Sequence, residues 1–361
     1  MEIWLPYGDV ESLVTLQAEN LGELVDPAPE GHAEELGLAL VERLRGFERL
    51  VVCDYKPSTL KAVRAVVPRL PPDGQTKFYA RSPRSVEDRV PELKGRVLKV
   101  SPPPAPTVGE ATFSPELATG TTFALSTGEP DPLFGYIDAR VALGLSCVGG
   151  VRRAAYQARG RDEPSFFEET PSYTLVRSLA ERVSGAAFGT IVPRGGEPFS
   201  LIEGGGSEAR ALLSPKEVSP AKGIVVGAGG KGYDDSFSHL LRLSLAALRS
   251  VRKGGDLLLV GECREGLGSE ALHMLATGRA GEGAIRKGFY ADGMEEIAYL
   301  NALREDYSVT LLSSLPELYA SASFRFRTAK NSAEALQKVF GSTGRGAKLH
   351  VFTRACESLI A

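Results

Sequence analysis

Gly223-Ile224-Val225-Val226-Gly227-Ala228-Gly229-Gly230-Lys231-Gly232-Tyr233-Asp234-Asp235 is the stretch of this 361-residue chain on which the fold turns. A short apolar strand runs into a glycine loop. A helical pattern follows from Asp235 to Val251, with Phe237, Leu240, Leu241, Leu248 and Val251 on one side. Strand, tight loop and helix in that order open a parallel α/β sheet. The order persists downstream. Lys253-Gly254-Gly255 reads as a turn, Asp256–Val260 as a strand, Met294–Leu303 as a helix and Val309–Leu312 as a strand. Ser332–Phe340 is the next helix and Lys348–Phe352 the last strand.

Upstream the alternation is the same but less regular. Two strands, Glu2–Leu5 and Ser12–Leu16, flank the turn Tyr7-Gly8-Asp9. A helix is expected from His32 to Arg45, where Leu36, Leu40, Val41 and Leu44 keep helical spacing. The strand Arg49–Cys53 ends at Asp54, and the helix Ser58–Val67 stops at Pro68. Ser101–Pro106 holds prolines too dense for a helix or a central strand and reads as an extended connector. Thr121–Ser126 is a strand and Val141–Val151 a small-residue segment. A basic helical stretch carries Arg152, Arg153 and Arg159. A helix over Pro171–Ser184 and the strands Gly189–Val192 and Phe199–Ile202 complete this half. The expected fold class is α/β: two α/β domains with mainly parallel sheets. They span 1–212 and 213–361, with the last strand or tail free to return to the first domain.

The totals exclude several function classes. Apolar residues at 43% and charged residues at 24% are ordinary for a globular protein. A net charge of −3 without a basic run gives no case for nucleic acid. No apolar stretch has the length of a membrane span, and the N-terminus lacks a signal-peptide pattern, so a cytoplasmic location is expected. The four cysteines, Cys53, Cys147, Cys263 and Cys356, form no C-x-x-C pair, which argues against a zinc ribbon or redox pair. Sparse Asn and Gln beside abundant Arg, Glu and Pro lean toward a thermophile.

The glycine loop partly matches a dinucleotide fingerprint, with an anion at a helix N-terminus as its physical rationale. The next strand, however, ends in Glu262, about 30 residues on, where the fingerprint places its acid about 20 residues on. Asp234 and Asp235 also set negative charge where a pyrophosphate would lie. Capping of the helix is the plainer role for both. On that helix Asp235, His239, Arg242 and Arg249 share a face. The face is either solvated or turned toward a ligand.

Several segments together resemble the nickel-dependent lactate racemase family. They are Leu5-Pro6-Tyr7-Gly8, Val51-Val52-Cys53-Asp54, Gly128-Glu129-Pro130-Asp131-Pro132-Leu133-Phe134-Gly135-Tyr136, Ala228-Gly229-Gly230 through Arg242, and Arg252 through Glu270. The resemblance touches most of the chain and is closest in the second domain. It implies two α/β domains with a ligand cleft between them. In active members a lysine carries a pyridinium-derived pincer nucleotide that binds nickel, and one histidine completes the coordination. Two more histidines serve as acid and base while hydride leaves and returns to a 2-hydroxy acid.

This sequence departs from that pattern at the chemistry. It has no histidine between His32 and His239, the interval in which the family's histidines lie, and imidazole is what such proton transfer and nickel ligation need. The anchoring lysine is replaced by Arg140 or Val141, and a guanidinium is too weak a nucleophile for that link. Hence no cofactor is expected, the nickel-pincer nucleotide included. What the resemblance leaves is Asp54 and His239 as candidate catalytic groups, with Arg242, Asp234, Arg140 and Lys56 as candidate substrate contacts. Arg242 would clamp a carboxylate. Arg152 and Arg153 either add positive potential or form an exposed basic face. The expected partner is a small carboxylate or hydroxy acid, with no nucleic acid or membrane and a homo-oligomer as an open possibility. A 2-hydroxy acid isomerase, a protein-interacting module and a nucleotide binder at 227–232 are the alternatives.

Overall fold

A computed structural model describes every residue except 71–75, 102–113, 118, 160–165, 167–168, 184, 214–216, 280–289 and 359–361. Most of the proline-rich connector therefore lies outside the described residues. The chain forms two compact units, Met1–Pro27 with Ser214–Ala361, and Ala28–Leu213.

The chain begins with an antiparallel hairpin, β1 (Glu2–Tyr7) and β2 (Val10–Thr15), followed by β3 (Leu21–Val25). It then enters the unit 28–213. There α1 (Ala33–Leu44), β4 (Arg49–Val52), α2 (Pro57–Val66), β5 (Lys77–Ala80), α3 (Pro83–Glu87) and β6 (Val97–Lys99) alternate. After β7 (Thr122–Thr127) comes a small ribbon, β8 (Glu129–Asp131) with β9 (Gly135–Ile137). The helices α4 (Ala139–Cys147), α5 (Val151–Ala158) and α6 (Pro171–Ala180) follow. The unit ends with β10 (Ala186–Arg194), β11 (Glu197–Ile202) and α7 (Gly206–Leu212). Back in the first-named unit run β12 (Ala221–Gly227), α8 (Phe237–Ser244), β13 (Val251–Val260), α9 (Glu270–Ala276) and α10 (Met294–Asp306). The last elements are β14 (Ser308–Leu312), β15 (Arg327–Ala329), α11 (Ser332–Thr343) and β16 (Leu349–Phe352).

In the unit 28–213 the sheet order is β11-β10-β7-β4-β5-β6, parallel except for β11. From β4 the chain winds outward through β5 and β6, then crosses to β7 on the other side of β4. The boundary between β4 and β7 is therefore the switch point of a doubly wound sheet, whose carboxyl end is the usual ligand crevice. One face packs Leu50, Val52, Phe78 and Phe123 against Leu40, Val63 and Val66 of α1 and α2. The other packs Val51 and Ala124 against Leu143 and Cys147 of α4 and Ala180 of α6. Strands covered on both faces carry near-continuous apolar runs, which is why they were legible.

The other unit has an all-parallel sheet ordered β15-β14-β13-β12-β16-β3. Val225, Leu258, Val260 and Val351 pack on Ile3, Leu5 and Val14 of the hairpin and on Val339 of α11. On α8, Phe237 stacks on Phe324, with ring centroids 4.8 Å apart.

Three expectations are corrected here, and one strand is added. Residues 1–27 do not belong to a first domain of 1–212. β3 pairs with β16 (Val351↔Leu24, Phe352↔Val25), so the chain's start completes the sheet of its end. β3 has no clear sequence signal, because LGELV is short and none of its residues is fully buried. The helix expected over Asp235–Val251 is only α8, continued by a 3₁₀ stretch, Leu245–Ser250. The turn expected at Lys253-Gly254-Gly255 lies inside β13. There a register shift against Ala221/Gly223 and the positive φ of Gly254 (+76°) bend the strand without ending it. No helix is long and apolar enough to cross a membrane among the described residues.

Candidate functional site at the strand ends

Asp54 follows β4 directly at the switch point. Cys53 extends the pairing by one bond, its N–H donating to the Leu125 carbonyl at 2.9 Å. The Asp54 carboxylate then turns the chain. Oδ1 accepts from the Lys56 N–H at 3.0 Å and Oδ2 from the Thr127 N–H at 2.6 Å. The first bond is an Asx turn that leads into Pro57, which opens α2 with its φ already helical. Burial pushes the Asp54 carboxyl above its usual range, against the pull of Lys56 and these N–H donors.

Lys56 turns inward. Its ammonium lies 2.9 Å from Glu129 Oε1 and donates to the Thr127 carbonyl at 3.3 Å, with both side chains under a tenth exposed. Thr59 and Thr127 share a hydroxyl hydrogen bond of 2.7 Å. Thus β4, β7, β8 and the start of α2 meet in one buried polar cluster: Asp54, Lys56, Thr59, Thr127 and Glu129. Sequence reading found Asp54 and Lys56. It missed Thr59, Thr127 and Glu129, although Glu129 stands in the quoted Gly128-Glu129-Pro130 segment. Gly128 is required there, since a Cβ would fall 2.2 Å from the Tyr136 hydroxyl.

Arg140 stands apart from this cluster in its bonding. Asp138 caps α4, accepting from the Arg140 and Val141 N–H groups. The Arg140 guanidinium donates to the carbonyls of Gly204 (2.5 Å) and Glu203 (3.2 Å) and lies 5.0 Å over the Phe188 ring. It is built into its own unit. At the position where the resemblance would put a nucleophilic lysine, the donor set does not suit a covalent pincer. Among the described residues no three His, Cys, Asp or Glu side chains are placed to hold one metal ion. His32, the sole histidine of 28–213, ends up near Glu30, Glu35 and the Phe199 ring at the start of α1.

In the other unit Asp234 is fully buried, and its Oδ2 accepts from the N–H groups of Gly8 (2.8 Å) and Glu262 (3.1 Å). It ties the hairpin turn and the end of β13 to the glycine loop. Burial raises its pKa, and burial, with Cys263, Glu262 and Asp234 nearby, pushes the Tyr7 hydroxyl up to about 12. The cap of α8 is Ser236 rather than Asp234 or Asp235. On α8, His239 lies 6.1 Å from the Tyr233 ring, centroid to centroid. Arg242 Nε sits 3.7 Å from Glu296 Oε1 and 3.4 Å from the Ser238 carbonyl. Glu296 is fully buried and also accepts from the hydroxyls of Ser238 and Ser269. Arg242 therefore faces a buried acid of its own unit, a partner that sequence spacing did not reveal.

The glycine loop is occupied by the protein itself. The Lys231 N–H donates to the Gly8 carbonyl, and α8 starts only at Phe237. Its first amides go to Gly266 O, Leu267 O and the Ser236 hydroxyl. A Cβ on Gly229 would meet Cys356 Sγ at 2.5 Å, and one on Gly230 would meet Pro6 at 2.8 Å. These glycines serve close packing, and this geometry gives a phosphate at the α8 N-terminus no donors.

No protein-family model matches the chain, and no curated protein matches it. Its fold is found among solved structures. The lactate racemase apoprotein from Thermoanaerobacterium thermosaccharolyticum superposes with a TM-score of 0.76 at 14% identity, covering all of both chains. A structural-genomics protein from Thermotoga maritima gives 0.64 at 13% identity, covering 93% of this chain and 99% of its own. At such identities the likeness is one of fold.

Proposed function

We propose that the chain is a divergent lactate-racemase-like protein that binds a small carboxylate, of the hydroxy acid class, without nickel-pincer chemistry. The observation that carries this reading is the cluster at the β4/β7 switch point. A lysine and two carboxylates stand in the usual ligand crevice of this fold, and no imidazole accompanies them. Lys56 supplies a cation that a ligand carboxylate can share with Glu129. Burial raises the pKa of Asp54, and its carboxylate holds the turn that carries Lys56 into the crevice. The likeness of fold to a lactate racemase apoprotein supports the hydroxy acid class.

The test is a thermal-shift titration with both lactate enantiomers and a set of sugar acids, run on the wild type and on Asp54→Asn, beside an intact-mass measurement. A saturable stabilisation that Asp54→Asn weakens, with no covalent adduct mass, is expected. Conversion of one lactate enantiomer into the other, or a pincer-sized adduct, would establish the isomerase alternative instead. No response to any acid would sink the binding reading.

A further inference from the structure

At the amino ends of the strands in the unit 1–27/214–361, opposite the glycine loop, a cavity of about 450 Å³ opens among the starts of β12, β13 and β16 and the end of α11. Its charged lining is of one sign: Lys222, Arg252 and Lys348, with no aspartate or glutamate. His350 also lines it, but its two ring nitrogens are spent. Nδ1 accepts from the Glu23 N–H at 2.7 Å, so Nε2 carries the proton given to Ser219 O, also at 2.7 Å. Among the described residues Arg252 bonds through Nε alone, to the Pro220 carbonyl at 3.0 Å, which leaves the two terminal nitrogens of its fork. Among the described residues Lys222 and Lys348 have no ion pair.

We propose that this cavity binds a small polyanion of the di- or triphosphate class. Three like charges gathered around one cavity repel one another and raise its positive potential, and a multiply charged anion reverses both effects. The spacing suits an extended ligand. β13, β12 and β16 are neighbours in the sheet, and adjacent strands lie about 4.8 Å apart. Arg252 and Lys348 therefore flank Lys222 across roughly 10 Å at the level of their Cα atoms. The volume falls in the ordinary range for small-molecule sites, and Pro220, Ala221 and Ala347 add apolar wall. A blander role exists for one of the cations. α11 ends at Gly344 on the same cavity, and Lys348 offsets the negative end of that helix. That role needs one cation, and Lys222 and Arg252 arrive from other strands.

The experiment is titration calorimetry of the full chain with inorganic pyrophosphate, at low ionic strength and near 0.15 M salt, with citrate as the polycarboxylate comparison. The expected result is a one-to-one isotherm that weakens with salt. Lys222→Gln combined with Lys348→Gln should weaken it at least about tenfold without lowering the unliganded unfolding midpoint, since both side chains are exposed and their removal relieves repulsion. An absent isotherm, or pyrophosphate binding undiminished in the double variant, overturns the site. Citrate binding tighter than pyrophosphate overturns the phosphate class.

Discussion

Asp234 shows how one buried carboxylate sets a pH dependence. Burial raises its pKa above the ordinary value of 3.8, so the folded state holds that proton more tightly than the unfolded chain. The resulting stabilisation is full below the unfolded value and is lost as pH rises through the folded one. Asn cannot titrate, yet its amide oxygen can still accept both N–H bonds at the Oδ2 position. Wild type is therefore expected to be most favoured over Asp234→Asn at the acid end. That advantage should shrink as pH rises above the ordinary value of 3.8, as read by urea unfolding of both proteins. A difference that is flat or grows with pH would refute the sign. The candidate residues divide by how far their partners lie in sequence. Asp54 and Lys56 were reached through the resemblance carried by Val51-Val52-Cys53-Asp54, a contiguous stretch. Their partners Thr127 and Glu129 lie some seventy residues on (Asp54 to Thr127 spans 73 positions). Arg242's partner, Glu296, sits on α10, whose mixed composition hides which side is buried. Local spacing showed the helix face and could not show the acid it serves.

The hairpin and the glycine loop behave as one element. Gly8 donates to Asp234, Lys231 donates back to Gly8, and the Lys231 ammonium reaches Asp9 at 2.5 Å. Gly230 has φ +79° and no room for a Cβ, whereas Gly254 has φ +76° and nothing within 4 Å of one. Alanine at Gly254 meets only the left-handed backbone penalty, about 1–2 kcal/mol. Alanine at Gly230 adds a collision with Pro6 and should cost roughly 2 kcal/mol more. It should also speed amide exchange in residues 1–16, which Gly254→Ala leaves unchanged. Equal losses in denaturant melts would show that the loop does not hold the hairpin. Elements with strong periods or apolar runs were readable from sequence, as α1, α11 and the runs of β4, β12 and β14 illustrate. Those missed were short or interrupted. β5, β6 and β15 offer three or four residues each, and β13 contains two glycines that read as a turn ahead of its second half.

For the whole chain, the sheet order makes a boundary prediction. A fragment spanning 28–213 contains a complete doubly wound sheet and is expected to fold alone. A 214–361 fragment lacks β3 and the hairpin whose Ile3, Leu5 and Val14 cover one side of its core. It should therefore be less stable than a permuted chain in which 1–27 is joined to it. Near-UV circular dichroism and protease resistance of the three pieces would decide this, and a 214–361 fragment as resistant as the permuted chain would contradict it. The pairing of β3 with β16 also carries a consequence for synthesis. Asn20, just ahead of β3, closes its bonds to the carbonyls of Arg345 and Ala347, the first of them 325 positions away. At roughly 5–20 residues per second, the nascent hairpin waits roughly 16–65 s for its sheet. Through that interval Trp4, half exposed even when folded, and the apolar side of β1 have no native cover. Residues 1–27 are thus made long before the strand that covers them, and this segment is where a chaperone would have a long time to bind.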